Sequence, residues 1–402
     1  MVRTKKMRML IYCLLAILSL HCGKGGDSAD APLPKVSIND ISLPEGNSGS
    51  TNFGFTISLN RTYPGIVTVT YSTAEGLAKA GEDFTSVSNQ QLTFQPNETQ
   101  KTINIQVAAD EAREGDDVFT VMITGVTNGS LDRFMGTGTI LNDDTKVLFS
   151  NTGYDTPGNY AGYTLAWAEE FNNSSLDAGS WTVETGDGCP NLCGWGNNEL
   201  EYYTDRPDNI FFQDGKLLIE AKKESFGGKN YTSSKLVSRG KKIFKYGRVD
   251  IRAKLPRGRG IWPALWMLPQ QNVFGGWPRS GEIDIMELVG HEPGKVYGTV
   301  HYGPGPGSTQ ISRGYTLAGG AAFNDEFHVF SLEWKQDQLK WYVDGNLFST
   351  VNKTDIGAAT WPFNEDFFFI INLAVGGNWP GNPDANTYFP QWLIVDYVRV
   401  YQ

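Results

Sequence analysis

The sequence predicts an all-β protein of two sheet domains, on three observations. In residues 36–144 no stretch sustains helical periodicity, and in both parts short runs of strand composition lie between turn residues. Glycine is abundant, at 46 residues, as frequent tight turns require. Tryptophan is segregated: all eleven lie at or after Trp167. Acids are skewed the other way, with 14 Asp/Glu against 5 Lys/Arg between Val36 and Asp144, a net of −9 (5 minus 14). A chain this long can bury a core in each of two domains.

The first 22 residues read as a secretory signal. "MVRTKKMR" is basic, "MLIYCLLAILSL" apolar, and "HCGKGGDSAD" a small and polar exit. Removing Arg3, Lys5, Lys6 and Arg8 takes the formal charge from −10 to −14 (−10 minus 4). An exported polyanion disfavours nucleic acid and acidic membrane surfaces as partners. Cys22 resembles the lipidated cysteine of bacterial lipoproteins, although His21 replaces the usual small residue before it. Two destinations stay open: the cell surface or periplasm with a lipid anchor at Cys22, or release to the exterior after simple cleavage. Cys189 and Cys193, in "GCPNLCGW", suit a small disulfide loop in an exported chain, and four histidines are too few to favour structural zinc.

"TNFGFTISL", "GIVTVTYST", "KTINIQVAA" and "VFTVMITGV" make a β-sandwich over residues 36–144. Its acids fall at loop ends, where they suit either a calcium ion, which takes six to eight oxygens, or a solvated acidic rim. "LPEGNSG", "AKAGEDFT", "LTFQPNETQKTINIQV" and "GTILNDD" resemble a Calx-beta domain. That resemblance implies calcium ligands at Glu45, Asp83, Asp110, Glu114, Asp143 and Asp144, with Ala109 departing from the usual run of aspartates. Residues 145–162, including "NTGYDTPGNYAGY", read as a linker.

The remainder, 163–402, is again strand after strand: "GKLLIEAKK", "YGRVDIRAKL", "SGEIDIMELV", "KVYGTVHYG", "HVFSLEWKQ", "LKWYVDGNLFST", "FFFIINLAV" and "WLIVDYVRVYQ". "VDGN" marks a hairpin. Eight or more strands with this aromatic content predict a β-jelly roll.

In "GEIDIMELVG", Glu282 and Asp284 share the parity of a strand, and Glu287 breaks it. One extra residue at Met286, a β-bulge, would return Glu287 to the acidic face. Two carboxyls converging there to about 5–5.5 Å would match the separation used by retaining glycosidases. Crowded in a partly dry cleft, three carboxyls cannot all ionise, so one keeps its proton. Glu282 is then the nucleophile, Asp284 its orienting neighbour and Glu287 the acid/base. Alone, the triplet suits a solvated strand face or a cation site better than it suits catalysis. Trp262 and Trp266 upstream, with Trp195, Asn198, Tyr202 and Tyr203 in "WGNNELEYYT", add faces that stack on sugar rings and amides that read hydroxyls.

"WGNNELEYYT", "YGRVDIRAKLPRGRGIWPALWMLP" and "GEIDIMELVG" together resemble the family 16 glycoside hydrolases, and among them the laminarinases, endo-acting β-1,3-glucanases. The resemblance implies a jelly roll cleaving β-1,3-glucan with retained configuration, as a monomer with no catalytic cofactor. It implies the same roles for Glu282, Asp284 and Glu287, and sugar subsites lined by Asn198, Arg239, Trp262, Trp266, Trp277 and His301. It also implies a structural calcium ion on the far side of the sandwich, held by backbone oxygens of Glu170 and Gly215 and by Asp396. The family's mixed-linkage lichenases carry a triplet one residue shorter, so Met286 points away from them. Glu201 stands where many relatives carry Gln. A related hydrolase of mixed-linkage glucan or galactan, or a glycan-binding protein without chemistry, are the rival readings.

Overall fold

The computed structural model describes residues 32–305 and 309–402. The secretory signal and Cys22 lie outside the described residues. None of the described helices is long and apolar enough to span a membrane; among the described residues the helical pieces are three short 3-10 turns. The chain forms two compact units. The first takes the described residues up to Leu43 with 52–107 and 118–139; the second takes 44–51, 108–117 and 140–402.

Strands of the first unit lie in a four-stranded and a five-stranded sheet. Alternation decides which side chains enter its core. In Gly49–Leu59 the even spacing of Phe53, Phe55, Ile57 and Leu59 buries all four. Phe84 stacks on Phe119 at 4.6 Å, and Phe53 and Phe55 each stand 5.9 Å from it. Gly138 is glycine for space, since a Cβ there would lie 2.5 Å from the Phe119 ring.

The second unit is a jelly roll of two eight-stranded sheets. The outer sheet runs Ile210–Gln213, Lys216–Ala221, Gln391–Tyr401, Gly247–Lys254, His328–Lys335, Gln338–Val343 and Asn346–Asn352, with Leu165–Glu169 beside Gln391–Tyr401. The inner sheet runs Thr182–Val183, Lys235–Val237, Phe367–Val375, Ile261–Pro269, Glu282–Glu287, Lys295–His301 and Gln310–Thr316, with Ile243–Phe244 beside Phe367–Val375. Every residue of Phe367–Val375, "FFFIINLAV", is buried, so this central strand is enclosed on both faces, with Asn372 its one polar side chain. Trp181, Trp334 and Trp341 fill the interior between the sheets. Each such ring contributes about 3–5 kcal/mol against truncation to Ala.

Residues 145–162 contain no strand, yet they are pinned along much of their length. Arg252, in the outer sheet, donates to the Tyr154 carbonyl (2.7 Å), the Asn151 carbonyl (3.0 Å) and the Asn151 side chain (3.1 Å) while pairing with Asp396. The Phe327 backbone exchanges bonds with Thr152 and Tyr154, both 2.9 Å. Tyr160 donates to Asp250 at 2.7 Å, and Val147 packs with Leu218, Phe327 and Ile394. The segment is a strap on the outer sheet rather than a free linker. Polar turn residues are equally suited to pairing with buried arginine, which composition does not reveal.

Arg252→Ala should therefore destabilise the second unit by about 3–5 kcal/mol, the usual cost of removing one partner of a buried pair. An unchanged urea midpoint for that unit would show that the strap carries little of its stability.

Candidate active site

Pairing along the acid strand, Glu282–Glu287, reveals an interruption. Against Ile261–Pro269, Trp266 faces Asp284, Leu265 faces Met286 and Ala264 faces Glu287, so Ile285 has no partner. Against Lys295–His301, Glu282 faces His301, Asp284 faces Thr299 and Glu287 faces Tyr297, so Ile285 and Met286 together oppose Gly298. The expected bulge is present, displaced from Met286 alone to the Ile285–Met286 pair. Both side chains turn into the core, at 2% and 0% exposure. Burying two successive apolar residues on one side is what returns Glu287 to the face of Asp284.

A bulge frees a backbone carbonyl, which must be satisfied if buried. Here Trp341 of the outer sheet donates its indole N–H to the Asp284 carbonyl at 2.8 Å. Gly298 leaves room for that ring, because a Cβ there would lie 2.5 Å from Trp341 Cδ1.

Asp284 is 2% exposed, while the Glu282 and His301 side chains keep 15% and 21%. His301 Nε2 lies 3.3 Å from Asp284 Oδ2 and 3.5 Å from Glu282 Oε1. Trp277 donates to Glu282 at 2.8 Å and Trp262 to Glu287 at 3.2 Å. Burial pushes all three acids upward, Asp284 and Glu287 to about 8 each. Repulsion from Asp284 adds to this at both glutamates, and His301 with the indole donors opposes it. Burial raises Glu282 well above its usual value, so its ionised form depends on the Trp277 N–H and His301 beside it; Glu287, pushed up to about 8, holds its proton at neutral pH.

The remaining expected sugar-binding residues fall into three groups. Trp262, Trp277 and His301 touch the acids. Trp266 shares their face but donates to Asn372 at 2.8 Å. Asn198 donates to Asn378 at 2.8 Å, and Arg239 lies 4.6 Å over the Phe368 ring, both without direct contact with the trio. Tyr203 is fully buried and Tyr202 packs edge-on against Phe226, so neither offers a sugar platform. Trp195 lies 3.9 Å beneath the Lys235 ammonium. Sequence reasoning missed Trp379, 41% exposed and edge-on to both Trp262 (5.8 Å) and Tyr297 (5.1 Å). Its signal was an aromatic after a glycine turn, "VGGNWPG". Cys189 and Cys193 are bonded as a disulfide.

At the expected far-side calcium positions the side-chain carboxylates are engaged by cations, which leaves the backbone oxygens of Glu170 and Gly215 as the donors there. Glu170 is clasped by Arg399 at 2.7 and 2.9 Å, and Asp396 by Arg252 and by Lys216 at 3.1 Å. Arginine and lysine already neutralise the two carboxylates, and Gly215 turns at φ +72° against Asn172. The acidic loops fit a cation. Oxygens of Glu45, Asp110 and Asp144 lie within 4.8 Å of one another. Burial, then the charges of Asp110, Glu114, Asp144 and Asp143, push Glu45 up to about 8, and Asp144 Oδ2 is buried without a partner. Asp143 accepts from the Gly46 N–H at 3.1 Å. Asp83 instead accepts from the backbone of Lys79 in the first unit, at 2.6 Å.

An acid trio flanked by indole rings on a jelly-roll sheet defines a glycoside hydrolase, and comparison with known proteins agrees. A family model for glycosyl hydrolases family 16 matches residues 197–394, and one for the Calx-beta domain matches 37–145. The beta-glucanase of Rhodothermus marinus is 43% identical over 266 residues, covering 63% of this chain and 90% of its own. Glucan endo-1,3-beta-glucosidase A1 of Niallia circulans is 44% identical over 268 residues, covering 62% of this chain; the match spans 39% of that longer relative. The laminarinase catalytic domain of Thermotoga maritima superposes with a TM-score of 0.56 at 46% identity, over 60% of this chain and 98% of that one. The chain belongs to glycosyl hydrolase family 16.

Trp341→Phe should strand the Asp284 carbonyl, costing about 1–3 kcal/mol, and should lower turnover at least about tenfold as Glu287 loses its aim. Denaturant unfolding and initial rates check this; full turnover would mean that strand pairing alone holds the bulge.

Proposed function

We propose that the chain hydrolyses β-1,3-glucan of the laminarin type, within the chain and with retained anomeric configuration. The observation that carries this is the bulge, which puts Glu282 and Glu287 on one face between Trp277 and Trp262. The relatives named for β-1,3-glucan or laminarin support the substrate.

In the first half-reaction the Glu282 carboxylate bonds to the anomeric carbon while Glu287 protonates the glycosidic oxygen, which departs as an alcohol. In the second, Glu287, now a carboxylate, takes a proton from water; the oxygen attacks the anomeric carbon and Glu282 leaves. Asp284 keeps negative charge or a shared proton beside Glu282 and His301, opposing collapse of the nucleophile onto its neighbour. Trp262 stays on the Glu287 carboxyl in both halves, holding it in reach of the departing and then the incoming oxygen.

Glu45, Asp110 and Asp144 would hold a calcium ion, whose charge relieves their mutual repulsion. Calorimetry should show one calcium site lost in Asp110→Ala; heats of binding identical in the two proteins would remove these residues from that role. Export, with or without lipid at Cys22, is proposed from the signal sequence.

Glu282→Ala should lower the release of reducing ends from laminarin by about 10⁴-fold or more, and azide should restore turnover as a glycosyl azide. Because Glu287 must begin protonated, wild-type rate should fall as pH rises through about 8. Normal turnover by Glu282→Ala, or an alkaline limb that persists in Glu287→Gln with an activated aryl glycoside, would overturn the assignments.

A further inference from the structure

A second pair of carboxyls lies beneath the sugar-binding face, outside the reaction itself. Glu201 is fully buried and Glu199 is 7% exposed. Glu201 Oε2 accepts the Val375 N–H at 2.7 Å, while its Oε1 is buried and receives no fixed donor. The Glu199 and Glu201 side chains interact directly with each other. Two carboxyls bond to each other only through a proton, so the geometry itself calls for one.

Glu199 also accepts from the Asn197 side chain at 3.2 Å and from the Tyr203 hydroxyl at 3.3 Å. Tyr203 accepts from Asn372 (3.0 Å), and Asn372 accepts from the Trp266 indole (2.8 Å). The pair thus sits where two loops meet. Leu200 N–H donates to the Val375 carbonyl and Asn378 N–H to the Asn197 carbonyl, both at 2.8 Å, and Asn198 donates to Asn378. One loop carries Asn198; the other leads to Trp379, which stands against Trp262 and Tyr297.

We infer that Glu199 and Glu201 share one proton as a latch between the Asn197–Leu200 and Val375–Trp379 segments, and that its loss loosens the sugar-binding face. Glu201 is a positioning residue: it acts on substrate only through these loops. The inference rests on the glucan-hydrolase reading for its ligand.

The charged and titratable groups around the pair are few. Tyr203 lies on the same strand, and Lys235 on the neighbouring inner-sheet strand. Lys235 is drawn toward Glu184 (3.1 Å) and the Trp195 ring (3.9 Å). From the Val375 side only the backbone N–H is contributed. Burial and the Glu199 charge push Glu201 well upward, and burial pushes Glu199 upward. A raised carboxyl favours the fold in its neutral form, so the latch is closed at low pH and lost as pH rises through the raised value.

Glutamine at 201 can accept from Val375 N–H with its oxygen and donate to Glu199 with its amide, keeping the latch closed without a proton. The experiment measures binding of a β-1,3-linked glucose hexamer by calorimetry from pH 6 to 9. A Glu287→Gln background prevents turnover. With Glu201 present, affinity should fall about tenfold, the effect of one 1.4 kcal/mol penalty; with Glu201→Gln it should change less than about twofold. Thermal unfolding without ligand gives an independent reading, and the chain with Glu201 should lose more of its midpoint above neutrality than Glu201→Gln. Equal pH dependence in both proteins, in binding or in unfolding, overturns the latch. Absence of binding at every pH, with the unfolding curves still separated, supports the latch and removes the glucan reading instead.

Discussion

One hydrogen bond across the sandwich, from the Trp341 indole to the Asp284 carbonyl, underlies the acid-bearing face. A strand with unbroken parity would send Glu287 into the interior among Ile283, Leu265 and Met267, where a carboxyl has neither water nor partner. The bulge avoids that only if its surplus residues have a place to go and its freed carbonyl has a donor. Ile285 and Met286 fill the core, and Trp341 supplies the donor. Gly298 lets the ring approach. Core packing and catalytic geometry are therefore one arrangement seen from two sides of a sheet.

The two sheets handle buried charge in opposite ways. On the outer sheet each buried acid meets a cation: Asp250 and Glu333 share Arg248, and Asp396 lies between Arg252 and Lys216. That satisfies charge locally and leaves little reactivity. On the inner sheet, acids meet acids, indole N–H groups and one imidazole. These neighbours orient carboxyls without neutralising them, so protonation states stay close in energy and a proton can move.

The strands, the two-part layout and the broken parity were legible in the sequence because each follows from short-range pattern: alternation, turn residues and tryptophan distribution. The position of the bulge was legible only to within one residue. Its placement depends on Trp341 and Gly298, which lie elsewhere in the chain and have no local signature. Tyr203 misled for a related reason, since an aromatic beside the sugar-reading residues has the same composition whether it faces solvent or core. The strap at 145–162 read as linker because Gly, Asn and Pro suit both a loose segment and one whose carbonyls are taken by a distant arginine. Trp379 went unnoticed because its importance lies in the rings it meets, Trp262 and Tyr297, rather than in its own neighbours along the chain.

The bulge also constrains how such a chain can change through descent. Deleting one residue from the acid strand would restore regular pairing but leave an indole pressed on a sheet with no carbonyl turned toward it. Enlarging Gly298 first would collide with that indole, and shrinking Trp341 first would open a void beneath an unsatisfied oxygen. Each single step passes through a damaged intermediate, so the strand's length, the glycine and the tryptophan are expected to be inherited together or exchanged together.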